Sequence, residues 1–339
     1  MIAKHVVVIA ASRGGVPVLR TLAAGLPADL DAAVCVVMHI GRHKSVLPEL
    51  MARSGLLQAI HARDGEPLCA GRIYVAPTDR HLVIETQAQR VSLRLSDSAP
   101  ENFSRPAADP LFRSASMVYE GCVTGVVLSG DLDDGAAGLA MIRARGGRCI
   151  VQNPADCEAA SMPKAALRAV GAAAAVVEVS ELAAAIVEAV RAGPCEERAM
   201  AGNWKIEEEA RLAARGLVSP DELDGIARRS ALTCPECGGT LWRIDNGQPH
   251  RYRCHTGHAF SDLSLEEGIA REVERALWSA ARTVKERALF ARERREWAVR
   301  EGDAALVEIE DARIAETEAL ETILREALSE ADADGKSAD

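Results

Sequence analysis

The 339-residue sequence contains no run approaching the roughly 20 uninterrupted apolar residues of a membrane span. Its first apolar stretch, residues 6–11, is too short for a secretory signal and lacks the basic flank and cleavage site of one. Membrane insertion and export are thereby excluded as readings, and a cytoplasmic location is expected. The chain also lacks an excess of positive charge. Its formal net charge of −10 argues against a nucleic-acid coat, because phosphate binding relies on clustered Lys and Arg. A disulfide framework is not expected either, since nine cysteines in a chain without an export signal stay reduced. Six of them, Cys35, Cys69, Cys122, Cys149, Cys157 and Cys195, are scattered and read as small buried hydrophobes. Cys234, Cys237 and Cys254 are clustered and need another explanation.

What is present is enough apolar material, 48% of residues, for one large core and one or two smaller units. "HVVVIAA" (5–11), "AVCVVMH" (33–39), "VTGVVLS" (123–129) and "RCIVQ" (148–152) are short, continuously apolar runs, as in strands covered on both faces. Helix-like segments separate them, among them "GVPVLRTLAAGL", "KSVLPELMARSG", "DPLFRSASMVY" and "GAAGLAMIRARGG". The alternation predicts an α/β fold: a doubly wound, mostly parallel sheet with helices on both faces. "GEPLCAGRIYVAPTDRHLVIE" with "VSLRL" carries turn signals and short alternations, which predict a small antiparallel excursion. An alanine-rich stretch supplies a final strand and helix.

The α/β domain is placed at 1–195, followed by a charged helical linker (196–232) and a compact zinc-ribbon-like unit (233–262). A helical hairpin (263–331) and a frayed tail (332–339) complete the chain. In the hairpin, Ile269, Val273, Leu277 and Val284 form one apolar stripe; "REGDAAL" (300–306) breaks it, and Leu306, Ile309, Leu320, Ile323 and Leu324 form a second. Two such helices predict an antiparallel pair or a surface for self-association or a regulator.

Parallel sheets present chemistry beyond the carboxyl ends of their strands. That rule selects Ser12 after the first strand, His39 at the end of "VCVVMH", and Asp134 in "LSGDLDDG". Serine, histidine and carboxylate are the parts of nucleophilic acyl transfer. Gly14 and Gly15 allow a sharp strand-to-helix turn, and their N–H groups with that of Arg13 are oxyanion-hole candidates. Taken singly, each residue has a plainer reading: Ser12 as a helix cap, His39 as a satisfied core or surface histidine, and Asp131, Asp133 and Asp134 as a turn at a helix start or a divalent-metal loop. A calcium loop fails on spacing, because Gly135 stands at its fifth position.

Six motifs in order, "IAASRGG", "VMHIGRHKSVLPELMAR", "GRIYVAPTDRHL", "RPAADPLF", "GVVLSGDLDDGAAGL" and "VQNPADCEAASMPKAAL", resemble the catalytic domain of the chemotaxis protein-glutamate methylesterases, the CheB-type family. The resemblance covers the first 192 residues. It implies Ser12 as nucleophile, His39 as base and Asp134 as the orienting carboxylate. It further implies hydrolysis of glutamate methyl esters on the cytoplasmic helices of methylated chemoreceptors, deamidation of receptor glutamines through the same acyl intermediate, and no catalytic cofactor. Three departures stand out. Arg13 replaces the family's Thr or Ala, and "GDL" (Gly130–Leu132) replaces Gly-Met-Gly, which sets Asp131 at an oxyanion-hole position. The sequence also starts at the first catalytic strand, so no receiver domain is expected before it. Two other readings stay open: a serine hydrolase for another protein ester, and a non-catalytic signalling scaffold.

"CPECGGTLWRIDNGQPHRYRCHTGHAF" holds Cys234-x2-Cys237, then Cys254, His255 and His258. A C-x2-C knuckle followed by a short Cys/His pair suits four-coordinate zinc. Cys234, Cys237, Cys254 and His258 are the expected ligands of a structural zinc, with His255 as the substitute. Trp242, His250, Arg251, Tyr252 and Arg253 give the unit some basic and aromatic character, which a small ribbon core explains as well as a nucleic-acid contact does.

Overall fold

The computed structural model describes residues 2–41, 45–87, 89–194, 204–244 and 249–337, with 204–206, 214 and 330–337 by backbone alone. "GRHK" of the second motif, most of the start of the linker and the last two residues of the tail thus lie partly or wholly outside the described residues. The chain divides into two compact units, Met1–Leu265 and Glu266–Asp339.

In the first unit a seven-stranded parallel sheet runs in the order β3-β4-β2-β1-β7-β8-β9. Its strands are β1 (Val6–Ala11), β2 (Ala33–Met38), β3 (Gln58–His61), β4 (Arg72–Val75), β7 (Val123–Val127), β8 (Arg148–Gln152) and β9 (Ala174–Val177). Every residue of β1, β2 and β7 is buried, which accounts for their unbroken apolar runs. One face is covered by α1 (Gly15–Gly25), α2 (Leu47–Ser54) and α6 (Leu182–Ala192), through Leu19, Leu22, Met51, Leu182 and Ile186. Helices α3 (Ala108–Tyr119), α4 (Ala136–Ala144) and α5 (Ser161–Val170) cover the other, through Leu111, Phe112, Leu139, Ile142 and Met162. Strand order reverses at β1, which pairs with β2 on one side and β7 on the other. A crevice therefore opens beyond the carboxyl ends of these central strands.

The antiparallel excursion is smaller than the sequence predicts. Only β5 (His81–Gln87) and β6 (Arg90–Ser96) form an antiparallel hairpin, whereas β4 pairs in parallel with both β2 and β3. Ile73, Tyr74 and Val75 of β4 are all buried, as a strand flanked on both sides requires. β3 gives no signal of its own because it is four residues long, lies at the sheet edge, and fully buries only Ala59.

The stretch read as a linker carries α7 (Trp204–Arg215), α8 (Pro220–Ile226) and β10 (Arg228–Thr233). β10 opens an antiparallel sheet completed by β11 (Thr240–Ile244), β12 (Arg251–Cys254) and β13 (Ala259–Ser261). Arg251 and Arg253 are buried here, each ion-paired with Glu209 of α7. The basic residues of this stretch thus serve the protein's own packing.

Helix α9 (Asp262–Glu301) starts in the first unit and continues into the second, where α10 (Ala304–Ser337) follows a turn with Gly302 at φ 73°. Cross-helix pairs Arg287–Glu316, Arg292–Glu318 and Arg294–Glu310 show that the two run antiparallel. Their seam differs in part from the expected stripes: Ala288, Ala291 and Ala298 are buried, Leu277, Val284, Leu306 and Leu324 are half-buried, and Ile269, Val273, Ile309, Leu320 and Ile323 are exposed. Small side chains let the helices approach closely, and the larger ones are at most half covered. α10 extends through 332–337, part of the stretch read as a tail.

Candidate active site and metal centre

Ser12 and His39 follow adjacent parallel strands. The register sets Ala11 beside Met38, and the His39 N–H donates to the Ala11 carbonyl at 3.1 Å. Beyond β7 the ladder continues, with the Ser12 N–H donating to the Ser129 carbonyl at 2.9 Å. The Ser129 N–H is bound by Gln152 Oε1 at 2.9 Å, and the Ser129 hydroxyl donates to the Arg13 carbonyl at 2.7 Å. Ser129 and Gln152 are fully buried, so the turn carrying Ser12 is held from beneath. Gly14 caps α1 at φ 76°, and a Cβ there would lie 2.6 Å from Glu158 Cβ. Glycine is therefore required by both conformation and space.

The Gly15 N–H is already used, donating to the Ser12 carbonyl at 2.9 Å. Among the described residues the N–H groups of Arg13, Gly14 and Asp131 have no acceptor, which leaves them available to an anionic oxygen. Leu132 adopts φ 59°, the left-handed conformation suited to the family's glycine at this place. Arg13 and Asp131, the two charged departures, are ion-paired at 2.7 Å and each is about half exposed.

The third member of the group, Asp134, is 3% exposed. Its Oδ2 lies 2.9 Å from His39 Nε2 and accepts the Ala108 N–H; its Oδ1 accepts the Asp109 N–H and Asn102 Nδ2, both at 3.2 Å. Burial alone would raise this carboxyl, but the His39 hydrogen bond and charge and the two backbone donors hold it below the ordinary carboxylate range. Its neighbours move the other way. Burial and the Asp134 charge push Asp109 up to about 7. Burial likewise pushes Asp133 up to about 6, against a hydrogen bond from Ser261. Three adjacent carboxyl groups are thus separated so that Asp134, the one touching histidine, stays ionised. Among the described residues no hydrogen bond joins Ser12 Oγ to the His39 ring. Such contacts commonly tighten only when substrate binds.

Asn102, Asp109, Ser129 and Gln152 were not found from the sequence. Asp109, Ser129 and Gln152 do lie inside three of the six motifs, which is the signal that could have found them; Asn102 lies in none, and only its φ of 50°, in the region that asparagine tolerates best, marks it in the structure.

In the antiparallel sheet, two similar knuckles face each other. In the first, Cys234 N–H donates to the Gly239 carbonyl and Gly238 N–H to the Cys234 carbonyl; in the second, Cys254 N–H donates to the His258 carbonyl and Gly257 N–H to the Cys254 carbonyl. They bring Cys234, Cys237, Cys254 and His258 together, with all ligand atoms within 4.8 Å of one another. Cys237 Sγ is 3.8 Å from Cys254 Sγ, and His258 Nδ1 is 3.5 Å from Cys254 Sγ. Two thiolates on a tetrahedral ion at about 2.3 Å lie about 3.8 Å apart, so the donors fit such an ion. His255 is outside the group and sets its ring edge-on to Trp242 at 6.4 Å. Thr256, overlooked in the sequence, places its hydroxyl 2.9 Å from Cys254 Sγ.

Sheet and site together define a doubly wound α/β protein that carries serine, histidine and a buried carboxylate at the carboxyl edge of its parallel strands. A family model described as CheB methylesterase matches residues 7–186, over half of the 339, and the chain belongs to that family. A curated relative, protein-glutamate methylesterase/protein-glutamine glutaminase 3 of Anaeromyxobacter dehalogenans, is 43% identical over 173 residues, covering 51% of this chain and 50% of that protein. The protein-glutamate methylesterase/protein-glutamine glutaminase of Maricaulis maris is 33% identical over 190 residues, covering 56% and 47%. The chain spans about half the length of these curated relatives. The crystal structure of the Thermotoga maritima CheB methylesterase catalytic domain superposes with a TM-score of 0.52 at 29% identity, over 54% of this chain and 97% of that one. Among the described residues no helix is long and apolar enough to cross a membrane.

Proposed function

We propose that the protein hydrolyses methyl esters of glutamate side chains on the cytoplasmic helices of chemoreceptors, and deamidates receptor glutamines at the same site. The observation that carries this reading is the 2.9 Å contact of His39 Nε2 with buried Asp134, at the end of the strand next to the one bearing Ser12. Asp134 engages Nε2, so Nδ1 is the nitrogen left to take the Ser12 proton. Ser12 Oγ attacks the ester carbonyl, and the N–H groups of Arg13, Gly14 and Asp131 receive the developing oxyanion. His39 returns the proton to the leaving methanol. Water then enters, gives a proton to His39, and cleaves the acyl-enzyme to free glutamate and Ser12. A glutamine side chain follows the same course with ammonia as leaving group.

The Cys3His group binds a structural zinc in this reading, and the reaction needs no cofactor. Three thiol donors and one imidazole within 4.8 Å of one another support that reading, because such a donor set suits zinc. The exposed Phe290 and Trp297, seven residues apart on α9, offer a face for self-association or a regulator. Catalysis is placed in the cytoplasm, where receptor helices are accessible.

The deciding experiment is methanol release from a methylated receptor fragment by the intact chain and by Ser12→Ala. Release by the former and its loss in the latter is expected. No release by the folded intact chain from several cognate receptors would overturn the reading.

A further inference from the structure

Asn102 is 6% exposed and is gripped from two sides. Its Oδ1 accepts the Ser261 N–H at 3.0 Å and the Ser264 hydroxyl at 2.8 Å. Its Nδ2 donates to Asp134 Oδ1 at 3.2 Å and to Asp109 Oδ2 at 3.3 Å. This arrangement permits one orientation of the amide. A flipped group would set its NH2 against an N–H and an O–H, and its oxygen against two carboxyl groups. The orientation that serves Asp134 is therefore dictated by residues from β13 and the first turn of α9.

The same part of the chain holds the surrounding loop. The Asn102 N–H donates to the Ala259 carbonyl at 2.8 Å, which supports a main chain in the left-handed region. Arg253 of β12 donates to Glu101 at 2.9 Å, and the Phe260 ring lies 5.0 Å from that of Phe103. Ser261 donates its hydroxyl to Asp133 Oδ1 at 2.7 Å. β12 and β13 also carry or flank Cys254 and His258, so the metal-type cluster and the grip on Asn102 share one small sheet.

We propose that this antiparallel sheet, with the start of α9, completes the active site: Ser261 and Ser264 orient Asn102, and Asn102 is a positioning residue for Asp134. The inference rests on the esterase reading for its kinetic consequence. Asp134 in turn sets the His39 ring, so a loosened Asn102 amide slows the chemical step and leaves substrate binding alone.

Two variants of the full chain separate positioning from docking. Ser261→Ala/Ser264→Ala removes both hydroxyls. Asn102→Leu is close in size and removes both the acceptor that the ribbon residues bind and the donor that Asp134 receives, without adding a charge beside Asp134. Steady-state hydrolysis of p-nitrophenyl acetate is read beside the downfield imidazole N–H proton of His39 in the NMR spectrum. Expected is a fall in kcat of about tenfold to a hundredfold in each folded variant, KM within about twofold, and a shifted or broadened N–H signal. An Asn102→Leu enzyme with kcat within about twofold of the parent would show that Asn102 serves docking alone, and would overturn the proposal. Parent protein without turnover would instead refute the esterase reading. The N–H signal then decides the inference by itself, since a signal unmoved in both variants refutes it.

Discussion

Arg13 Nη2 lies 2.7 Å from Asp131 Oδ1, so the two residues that depart most in charge from the family pattern neutralise each other beside Ser12. An isolated carboxylate there would oppose the negative charge that develops during acyl transfer. The pair is half exposed and contributes little to folding, within about 1 kcal/mol. On the esterase reading its effect belongs to the transition state. Arg13→Ala is expected to lower kcat about tenfold by uncovering the Asp131 charge, while Arg13→Ala/Asp131→Asn recovers most of the loss. A kinetic double-mutant cycle measures this, and a double variant no faster than Arg13→Ala would contradict it.

Gly130 sits between Ser12 and α5. A Cβ at this position would fall 2.2 Å from Met162 Sδ and 2.7 Å from Ser12 Cβ. Gly130→Ala must therefore displace a packed methionine or the Ser12 turn. A loss of about 1–3 kcal/mol in urea unfolding is expected. Labelling of Ser12 by a fluorophosphonate should slow by at least about tenfold, because small displacements of a nucleophile carry large kinetic penalties. Unchanged labelling would mean that Met162 absorbs the whole shift.

The raised carboxyls make stability fall with rising pH. Asp109, near 7 when folded, ionises at its ordinary value near 3.8 when unfolded, and Asp133 does the same from about 6. Below both values the two states bind equal protons, so nothing is gained or lost. Between about 4 and 7 the folded state holds protons that the unfolded state has released, and stability declines across this window. For Asp109 the cost above pH 7 is on the order of 4 kcal/mol. Buried His5 and His81, whose pKa values burial lowers, work in the opposite direction over the same window, so the carboxyl contribution is read by difference: in urea unfolding, Asp109→Asn should gain stability relative to the parent on going from pH 5 to pH 8. A parent-minus-variant difference that is the same at both pH values would refute the assignment.

Ser12, His39 and Asp134 were singled out because each follows a continuous apolar run, and the structure sets all three at the carboxyl edge of the parallel strands. Their support could not be found in this way. Asn102 meets Ser261 and Ser264 across 159 and 162 residues, and no local pattern encodes a contact at that separation. The metal-type cluster was visible since its ligands come in two short, regularly spaced pairs. The hairpin seam was read only in part for a physical reason: alanine fits close helix packing, so Ala288, Ala291 and Ala298 are buried, while of the expected stripe residues Leu277, Val284, Leu306 and Leu324 are half-buried and the rest face outward. β3 was missed because an edge strand of four residues has too little burial to leave a periodic trace.

Metal removal should act locally. Cys254 is fully buried beside Leu241, Phe260 and Leu265, in a cluster too small to hold four strands without a crosslink. One zinc per chain is expected by elemental analysis, and none in Cys254→Ser. Hydrogen exchange should then accelerate across residues 228–261, while β1, β2 and β7 keep their protection. Intact protein that contains no metal after purification in zinc-supplemented medium would exclude the site.

Glu101 provides the sharpest test of how the antiparallel sheet is attached. Its carboxylate is 5% exposed and accepts Arg113 Nη2 on both oxygens at 2.7 Å, and Arg253 Nη2 at 2.9 Å. Burial would raise its pKa, but the Arg113 and Arg253 charges outweigh that and hold it well below the usual glutamate range. A carboxyl depressed in the folded state contributes stability that is present above its unfolded value, about 4.3, and is lost as pH falls toward the folded one. Glu101→Gln leaves two buried guanidinium groups short of a counter-charge, and a loss of about 3–5 kcal/mol is expected at pH 7. The deficit should shrink below pH 4, where Glu101 of the unfolded parent takes up a proton while the folded carboxylate stays ionised. Urea unfolding at pH 7 and pH 3.5 measures both values. A deficit that is the same at the two pH values would mean that the effect comes from packing, and that the two arginines are neutralised elsewhere.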